Sequence, residues 1–314
     1  MNRDSDIYAI PVLVGPTGVG KTDVGTELAQ RIGAEVISAD SRQVYRYMDI
    51  GTAKPTLEEQ IRAKHHLINL VNPDARFSAG EYSRRARDVI HKLTERKVPF
   101  LVVGGAGLYI KTLTEGHFEA PEIPLDLRKE LEIGYRTQTT IALHNRLTQI
   151  DPSSARIIHV NDRRRIERAL EIHDATGIPR TAWFNKPKVR RPQQMFLIGL
   201  RRERCALYAR INQRVNQMIE SGFEDEVRSL MGRGYGDKAH AMSTFGYSEM
   251  LRYIKGEMNI ENTVSVIQQR SRQYAKRQLT WFRKMGIKWI SLPEGEDPEE
   301  TCERIVQEYP SLLF

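Results

Sequence analysis

Apolar and polar positions along this chain change their period several times, and each change marks an element. Through the first 115 residues, short apolar runs alternate with helix-like stretches. Ile7–Val14 and Glu35–Ala39 predict strands, His66–Val71 a third, and Pro99–Val103 a fourth just ahead of Gly104-Gly105. Lys21–Ile32 and Ala79–Glu95 predict helices between them. Strands alternating with helices through short connections predict an α/β fold with a doubly wound parallel sheet, its ligand at the C-terminal ends of the strands. From residue 122 to residue 191 strand signals vanish. Leu125–Arg136, Thr139–Gln149 and Asp162–Thr176 predict three helices, punctuated by Asp151-Pro152 and Gly177-Ile178-Pro179. Met195–Leu200 returns to a strand pattern. Helices over Arg204–Gly222, Phe223–Arg233 and Ile260–Lys284 follow, and Ile287–Leu292 predicts a final edge strand. Pro293–Glu300 is acidic and turn-rich. The expected organisation is a core built from residues 1–121 and 192–314, interrupted by a helical domain over residues 122–191.

The loop after the first strand carries the clearest chemistry. Gly15, Pro16, Thr17, Gly18, Val19, Gly20, Lys21 and Thr22 fit G-x-x-x-x-G-K-[ST], between a strand and a helix as that phosphate-binding P-loop requires. The glycines let backbone N–H groups converge on an anion, and the helix N-terminus adds partial positive charge. Lys21 reaches a terminal phosphate and Thr22 is the expected Mg²⁺ ligand. The loop specifies a phosphate chain, not the molecule that carries it. The core is therefore expected to be a P-loop doubly wound sheet. Asp40 ends the second predicted strand, across the expected cleft. Three roles fit it: holding Mg²⁺ or orienting an acceptor, acting as a general base, or capping a helix. Ser41, Arg42, Gln43 and Tyr45 lie where a substrate would enter. Arg and Gln suit base edges, and Tyr suits stacking.

The run from Asp40 to Pro55, DSRQVYRYMDIGTAKP, closely resembles the signature of tRNA dimethylallyltransferases, also called tRNA isopentenyltransferases. The resemblance extends through HHLI (His65–Ile68), FSAGEY (Phe77–Tyr82), VVGGAGLY (Val102–Tyr109) and NDRRRIERALEI (Asn161–Ile172). It continues through GFEDEVRSL (Gly222–Leu230), FGYSEM (Phe245–Met250) and RQYAKRQLTWFRK (Arg272–Lys284), in family order. It implies transfer of a dimethylallyl group from dimethylallyl diphosphate to the N6 amine of the adenosine 3′-adjacent to the tRNA anticodon, with the P-loop and Mg²⁺ holding the donor diphosphate. By resemblance, Asp40 is the general base, Thr17 lies near the scissile oxygen, and Lys21 and Arg214 act on the diphosphate. Asp40, Ser41, Arg42, Gln43, Ala106, Arg128, Arg164, Arg165, Arg168, Arg272, Lys276 and Arg277 are expected to meet tRNA. The chain departs from the family at Ala106, where Thr is usual, at Asn69, where Asp is frequent, and at Thr244 and Phe245. These departures bear on substrate contacts and leave the P-loop and Asp40 intact.

Composition fits an RNA-handling enzyme. The formal net charge is +8, with hydrophobic residues at 40%, which supports a sizeable core and suggests a polyanionic partner. Cations cluster at Arg163, Arg164, Arg165 and Arg168, at Arg180, Lys186, Lys188, Arg190 and Arg191, and at Arg270, Arg272, Lys276, Arg277, Arg283 and Lys284. The last group is interleaved with Tyr274, Trp281 and Phe282, of which Trp281 and Phe282 are expected in the core. An acceptor base must leave the anticodon-loop stack to reach the donor. Two distant cysteines, Cys205 and Cys302, no secretory signal pattern and no membrane-length apolar stretch predict a cytoplasmic protein away from membranes. His65 and His66 have no partner set for a metal and are expected to be structural. A monomer is expected. Three other readings stand beside prenyl transfer to tRNA: a P-loop kinase or NTPase that binds ATP, a prenyltransferase for free adenine nucleotides, and an RNA-binding module with a vestigial P-loop.

Overall fold

The computed structural model describes residues 9–116, 121–185 and 194–310. The chain divides into two compact units, one comprising Met1–Glu115 with Arg191–Phe314, the other Gly116–Arg190.

Six strands form one sheet in the first unit: β1 (Ile10–Val14), β2 (Glu35–Ala39), β3 (His65–His66), β4 (Phe100–Gly104), β5 (Met195–Arg201) and β6 (Ile287–Ser291). Their order is β3-β2-β4-β1-β5-β6, and every neighbouring pair is parallel. Val12 lies opposite Val102 on β4 and Leu197 on β5, so β1 is central and buried along its length. That burial explains its unbroken apolar sequence. Alternate residues serve opposite faces of the sheet. Ile10, Val12 and Val14 enter one hydrophobic core, with Ile37 and Val102, whereas Leu13 enters a second with Val36, Leu101 and Ile198. Helices cover both faces, as a doubly wound sheet needs. The chain leaves β1 toward β2 on one side and later adds β5 on the other. The loops after β1, β2 and β4 therefore open at one edge, at the point where strand order reverses.

In the second unit the described residues form helices Leu125–Arg136, Thr140–Ile150, Pro152–Ile157, Arg163–Thr176 and Arg180–Phe184, with no strand among them. Thr139, Asp151 and Asp162 cap three of these helices through side-chain oxygens that accept N–H groups of Ala142, Ser154 and Arg165. Leu143, Leu147, Ile166, Ala169 and Leu170 fill this unit's own core.

Two expectations need correction. The strand expected over His66–Val71 is only His65–His66, because Leu67 and Asn69 adopt left-handed backbone angles (φ 63° and 56°) that turn the chain away. Val71 keeps one isolated bridge to Tyr45. The turn-rich stretch Pro293–Glu300 gives way to a helix, Pro298–Glu308. Asp297 caps it, with Pro298 in the first turn and Glu300 closing the capping box. Ile7, the expected start of β1, lies outside the described residues.

Candidate active site

One cleft in the first unit is lined by the P-loop residues Thr17, Lys21 and Thr22, by Asp40 after β2, and by Arg214 and Tyr274 from two helices. The P-loop can turn here because Gly18 takes φ 79°, and a Cβ on it would lie 2.7 Å from Ile211 Cγ1. Helix Lys21–Arg31 then starts without a side-chain cap, which leaves its first N–H groups available to an anion. Lys21 Nζ donates to Pro16 O at 2.8 Å. Burial pushes its ammonium down to about 8, against the opposing pull of the Asp40 carboxylate. Arginines brace three successive loop residues from outside. Arg214 Nη1 donates to Thr17 Oγ1 at 3.3 Å, Arg210 Nε to Gly18 O at 3.2 Å, and Arg202 Nε to Val19 O at 3.1 Å. Arg210 and Arg214 are four residues apart on helix Arg204–Glu220, so they share one face. Of the three, the family resemblance implies Arg214 alone. Arg202 and Arg210 carried no motif, although their spacing from Arg214 was there to be read.

Asp40 Oδ1 accepts the N–H groups of Arg42 (2.8 Å) and Gln43 (3.4 Å). Its Oδ2 makes no hydrogen bond among the described residues. The carboxylate is thus held in orientation by one oxygen. Tyr274 has its hydroxyl pushed up to about 12 by burial and by the Asp40 charge, so it stays neutral. Its ring lies 5.3 Å from that of Phe245. Arg42 and Gln43, expected to meet RNA, have internal partners. Arg42 Nη2 donates to Gly51 O and Phe245 O, and its guanidinium sits 4.4 Å over the Phe245 ring. Gln43 is buried, with its amide between Ser38 Oγ and Ala53 O. Both side chains therefore shape the loop around Asp40. Glu226, unremarked in the sequence, holds the next turn by accepting N–H from Asp49, Ile50 and Gly51.

The remaining expected residues divide by exposure and pairing. Ala106 is buried, and its N–H donates to Ala39 O. Arg272 donates to Asn212, whereas Lys276 and Arg277 are exposed on the same helix, Ile260–Phe282. In the second unit Arg128 and Arg168 both pair with Glu171, and Arg165 pairs with Asp162. Arg164 is exposed and has no ion-pair partner among the described residues. Lys186, Lys188, Arg190 and Arg191 lie outside those residues. His65 and His66 are partnered by Ala63 O and Glu35. Phe282 is fully buried, and Trp281 packs over Gly107. Asn69 donates its N–H to Gln43 O and accepts from the buried Lys54 ammonium at 2.6 Å. Asn tolerates the left-handed backbone there, and Asp49 supplies the carboxylate Lys54 needs.

Thr22 offers a hydroxyl with no hydrogen-bond partner among the described residues, and the cleft around it is oxygen-rich. A hard oxygen donor set of this kind suits Mg²⁺, which commonly takes few protein ligands and completes its shell with phosphate oxygens and water. No helix among the described residues is long and apolar enough to cross a membrane.

Residues 43–285 match the family model described as IPP transferase. A tRNA dimethylallyltransferase of Syntrophobacter fumaroxidans is 45% identical over 306 residues, 96% of this chain and 88% of that protein. One from Geobacter sulfurreducens is 43% identical over 302 residues, covering 96% and 97%. Among solved structures, the tRNA isopentenylpyrophosphate transferase of Bacillus halodurans superposes with a TM-score of 0.69 at 39% identity, over 98% of this chain and 97% of that one. A eukaryotic dimethylallyltransferase acting on tRNA gives 0.81 at 27% identity, over 95% and 78%. A P-loop sheet, an acid at the end of β2 and near full-length similarity to these enzymes agree, and the chain belongs to the IPP transferase family.

Proposed function

We propose that this chain transfers a dimethylallyl group from dimethylallyl diphosphate to the N6 amine of the adenosine 3′-adjacent to the anticodon in tRNA, releasing diphosphate. One observation carries it furthest: a single cleft lined together by Thr17, Lys21, Thr22, Arg214 and Asp40, with Arg214 donating to Thr17 Oγ. Cationic and N–H donors there suit a departing diphosphate, and the carboxylate suits a proton acceptor.

In the transfer step the bond from the allylic carbon to the diphosphate oxygen breaks, and its electron pair leaves with that oxygen. The N6 lone pair forms the new carbon–nitrogen bond. The displaced N6 proton passes to Asp40 Oδ2. Lys21, Arg214 and the loop N–H groups stabilise the charge that grows on the leaving group, the dominant electrostatic contribution in sites of this kind. Thr17 Oγ accepts from Arg214, so its own proton is free to donate to the leaving oxygen. Thr22 would hold Mg²⁺, which when bound neutralises part of the diphosphate charge. The Tyr274 ring, which lines the same cleft as Asp40, suits the flat face of an extruded adenine. Lys276, Arg277 and Arg164, exposed and free of carboxylate partners, suit tRNA phosphates. The tRNA substrate favours the cytoplasm.

The test compares acceptors. The protein, dimethylallyl diphosphate and Mg²⁺ are incubated with an anticodon stem-loop or with AMP, and products are read by mass spectrometry. Efficient prenylation of the stem-loop and little of AMP is expected. If AMP competes well, the acceptor is a free nucleotide and the basic surfaces serve another purpose.

A further inference from the structure

Helix Ile260–Phe282 buries a stripe of side chains at Thr263, Ile267, Ser271, Ala275, Gln278 and Phe282. Gln278 is the outlier, a long primary amide only 6% exposed. A buried amide needs partners at both ends. Gln278 finds them on two different loops. Its Oε1 accepts the Thr17 N–H at 2.8 Å, and its Nε2 donates to Gly105 O at 2.9 Å. The peptide that joins Pro16 to Thr17 is trans, so its carbonyl and N–H point to opposite sides. Lys21 Nζ holds the carbonyl, and Gln278 holds the N–H. One peptide unit of the P-loop is thus fixed from both sides. A Cβ on Gly105 would fall 2.4 Å from Gln278 Nε2, 3.3 Å from Gly15 O and 3.5 Å from Lys21 Nζ, so a side chain there would push the amide aside.

We propose that Gln278 is a positioning residue for prenyl transfer, fixing the Pro16–Thr17 peptide so that the Thr17 hydroxyl and the Lys21 ammonium meet the donor diphosphate in register. This rests on the function proposed above. Lys21 has three donor protons. With one on Pro16 O, two remain for the diphosphate. Arg214 also holds Thr17 Oγ, and rotation of the peptide would displace that hydroxyl and the lysine anchor together. Misplacement of reacting groups by about 1 Å costs on the order of 10²-fold in rate. Gln278 itself does not act on the reacting atoms.

The test uses Gln278→Met, Gly105→Ala and the double variant in the full chain. Methionine keeps the length and unbranched shape of glutamine and removes both hydrogen bonds. Alanine at position 105 displaces the amide through its Cβ. Turnover at saturating substrates, KM for dimethylallyl diphosphate and KM for an anticodon stem-loop are measured for each. We expect kcat to fall about 10- to 100-fold in each single variant, with stem-loop KM within about twofold of the parent. Both lesions break one linkage, so the double variant should be no slower than the slower single variant by more than about threefold. The proposal is overturned if Gln278→Met keeps kcat within about twofold of the parent. It is also overturned if stem-loop KM rises in step with the kcat loss, which marks general loosening of the helix, or if the two losses multiply. If Gln278→Met does not fold, Gly105→Ala carries the same kcat and KM criteria alone. Failure of the parent protein to prenylate the stem-loop would instead refute the underlying function.

Discussion

Asp40→Asn isolates the proton-accepting role more cleanly than most carboxylate substitutions. Asp40 Oδ1 accepts Arg42 N–H at 2.8 Å and Gln43 N–H at 3.4 Å, and an asparagine carbonyl can keep both bonds. The loop around Arg42 is further held by Gly51 O and Phe245 O, which the substitution does not touch. Stability should therefore change by no more than about 1 kcal/mol, the difference between a charged and a neutral acceptor. What is lost is the basic Oδ2. Removing a general base typically costs roughly 10²–10⁴-fold in rate, or about 2.7–5.4 kcal/mol in activation free energy. A side effect must be kept out of the measurement. The Asp40 charge raises the Lys21 pKa, so its removal lets that lysine fall below about 8. Single-turnover transfer to a stem-loop, with both substrates saturating, should be run near pH 7 or below. The expected result is a large drop in the chemical rate, with donor and stem-loop affinities within a few fold of the parent. A single-turnover rate within about threefold of the parent would refute the role assigned to Asp40.

Other consequences follow from the same geometry. Arg214→Ala removes the cation that donates to Thr17 Oγ, and a lost charge-assisted bond of about 1.5–3 kcal/mol should lower kcat/KM for the donor about 10- to 100-fold. Initial rates against donor concentration, at saturating stem-loop, check this, and stem-loop KM should stay within about twofold. In the second unit, Arg165 and Arg168 are engaged with carboxylates and Arg164 is not. Arg164→Ala should then reduce the slope of log affinity against log salt by about 1, while Arg165→Ala changes it less; fluorescence anisotropy with a labelled stem-loop reads both. Asp151 is buried and accepts from Ser154 N, Thr181 N and Thr181 Oγ1, so Asp151→Ala should destabilise that unit by about 2–4 kcal/mol in denaturant unfolding. Burial alone would raise the Asp151 carboxyl, but the bonds from Thr181 and Ser154 outweigh it and hold the group below its ordinary value. A depressed pKa contributes stability above the unfolded value, near about 4, that is lost as pH falls. Melting curves should accordingly show a shallower acid limb in the variant.

The parts of the molecule that follow local rules were legible in the sequence. The P-loop announces itself through a motif whose first glycine meets a real steric limit, as Gly15 does against Leu200 O. β2 and the helices Ala79–Glu95 and Leu125–Arg136 fall where the apolar period puts them. The length of β3 was not legible, because left-handed backbone at Leu67 and Asn69 ends it within a run that still looks apolar. Helix Pro298–Glu308 was available from Asp297, Pro298 and Glu300, but its acidic surroundings read as a turn. The supporting shell of the site depended on long-range contact. Gln278 lies 261 residues from Thr17, and no local pattern joins them. Its signals were its place in the RQYAKRQLTWFRK block and a long amide in a buried helical stripe, and neither names Thr17 as its partner. Gln43 and Arg42 show the converse. Their chemistry suits RNA, and the fold also uses it to hold the loop that carries Asp40.

The most direct measurement of what the cleft does is mass spectrometry of an unmodified tRNA incubated with the purified protein, dimethylallyl diphosphate and Mg²⁺, in the absence of ATP. A parallel incubation replaces the donor with ATP. The expected result is one dimethylallyl unit gained at the adenosine 3′ to the anticodon, with diphosphate released in equal amount, and no tRNA-dependent ATP hydrolysis in the parallel reaction. Unmodified tRNA together with ATP turnover would contradict it, and would assign the P-loop to a nucleotide.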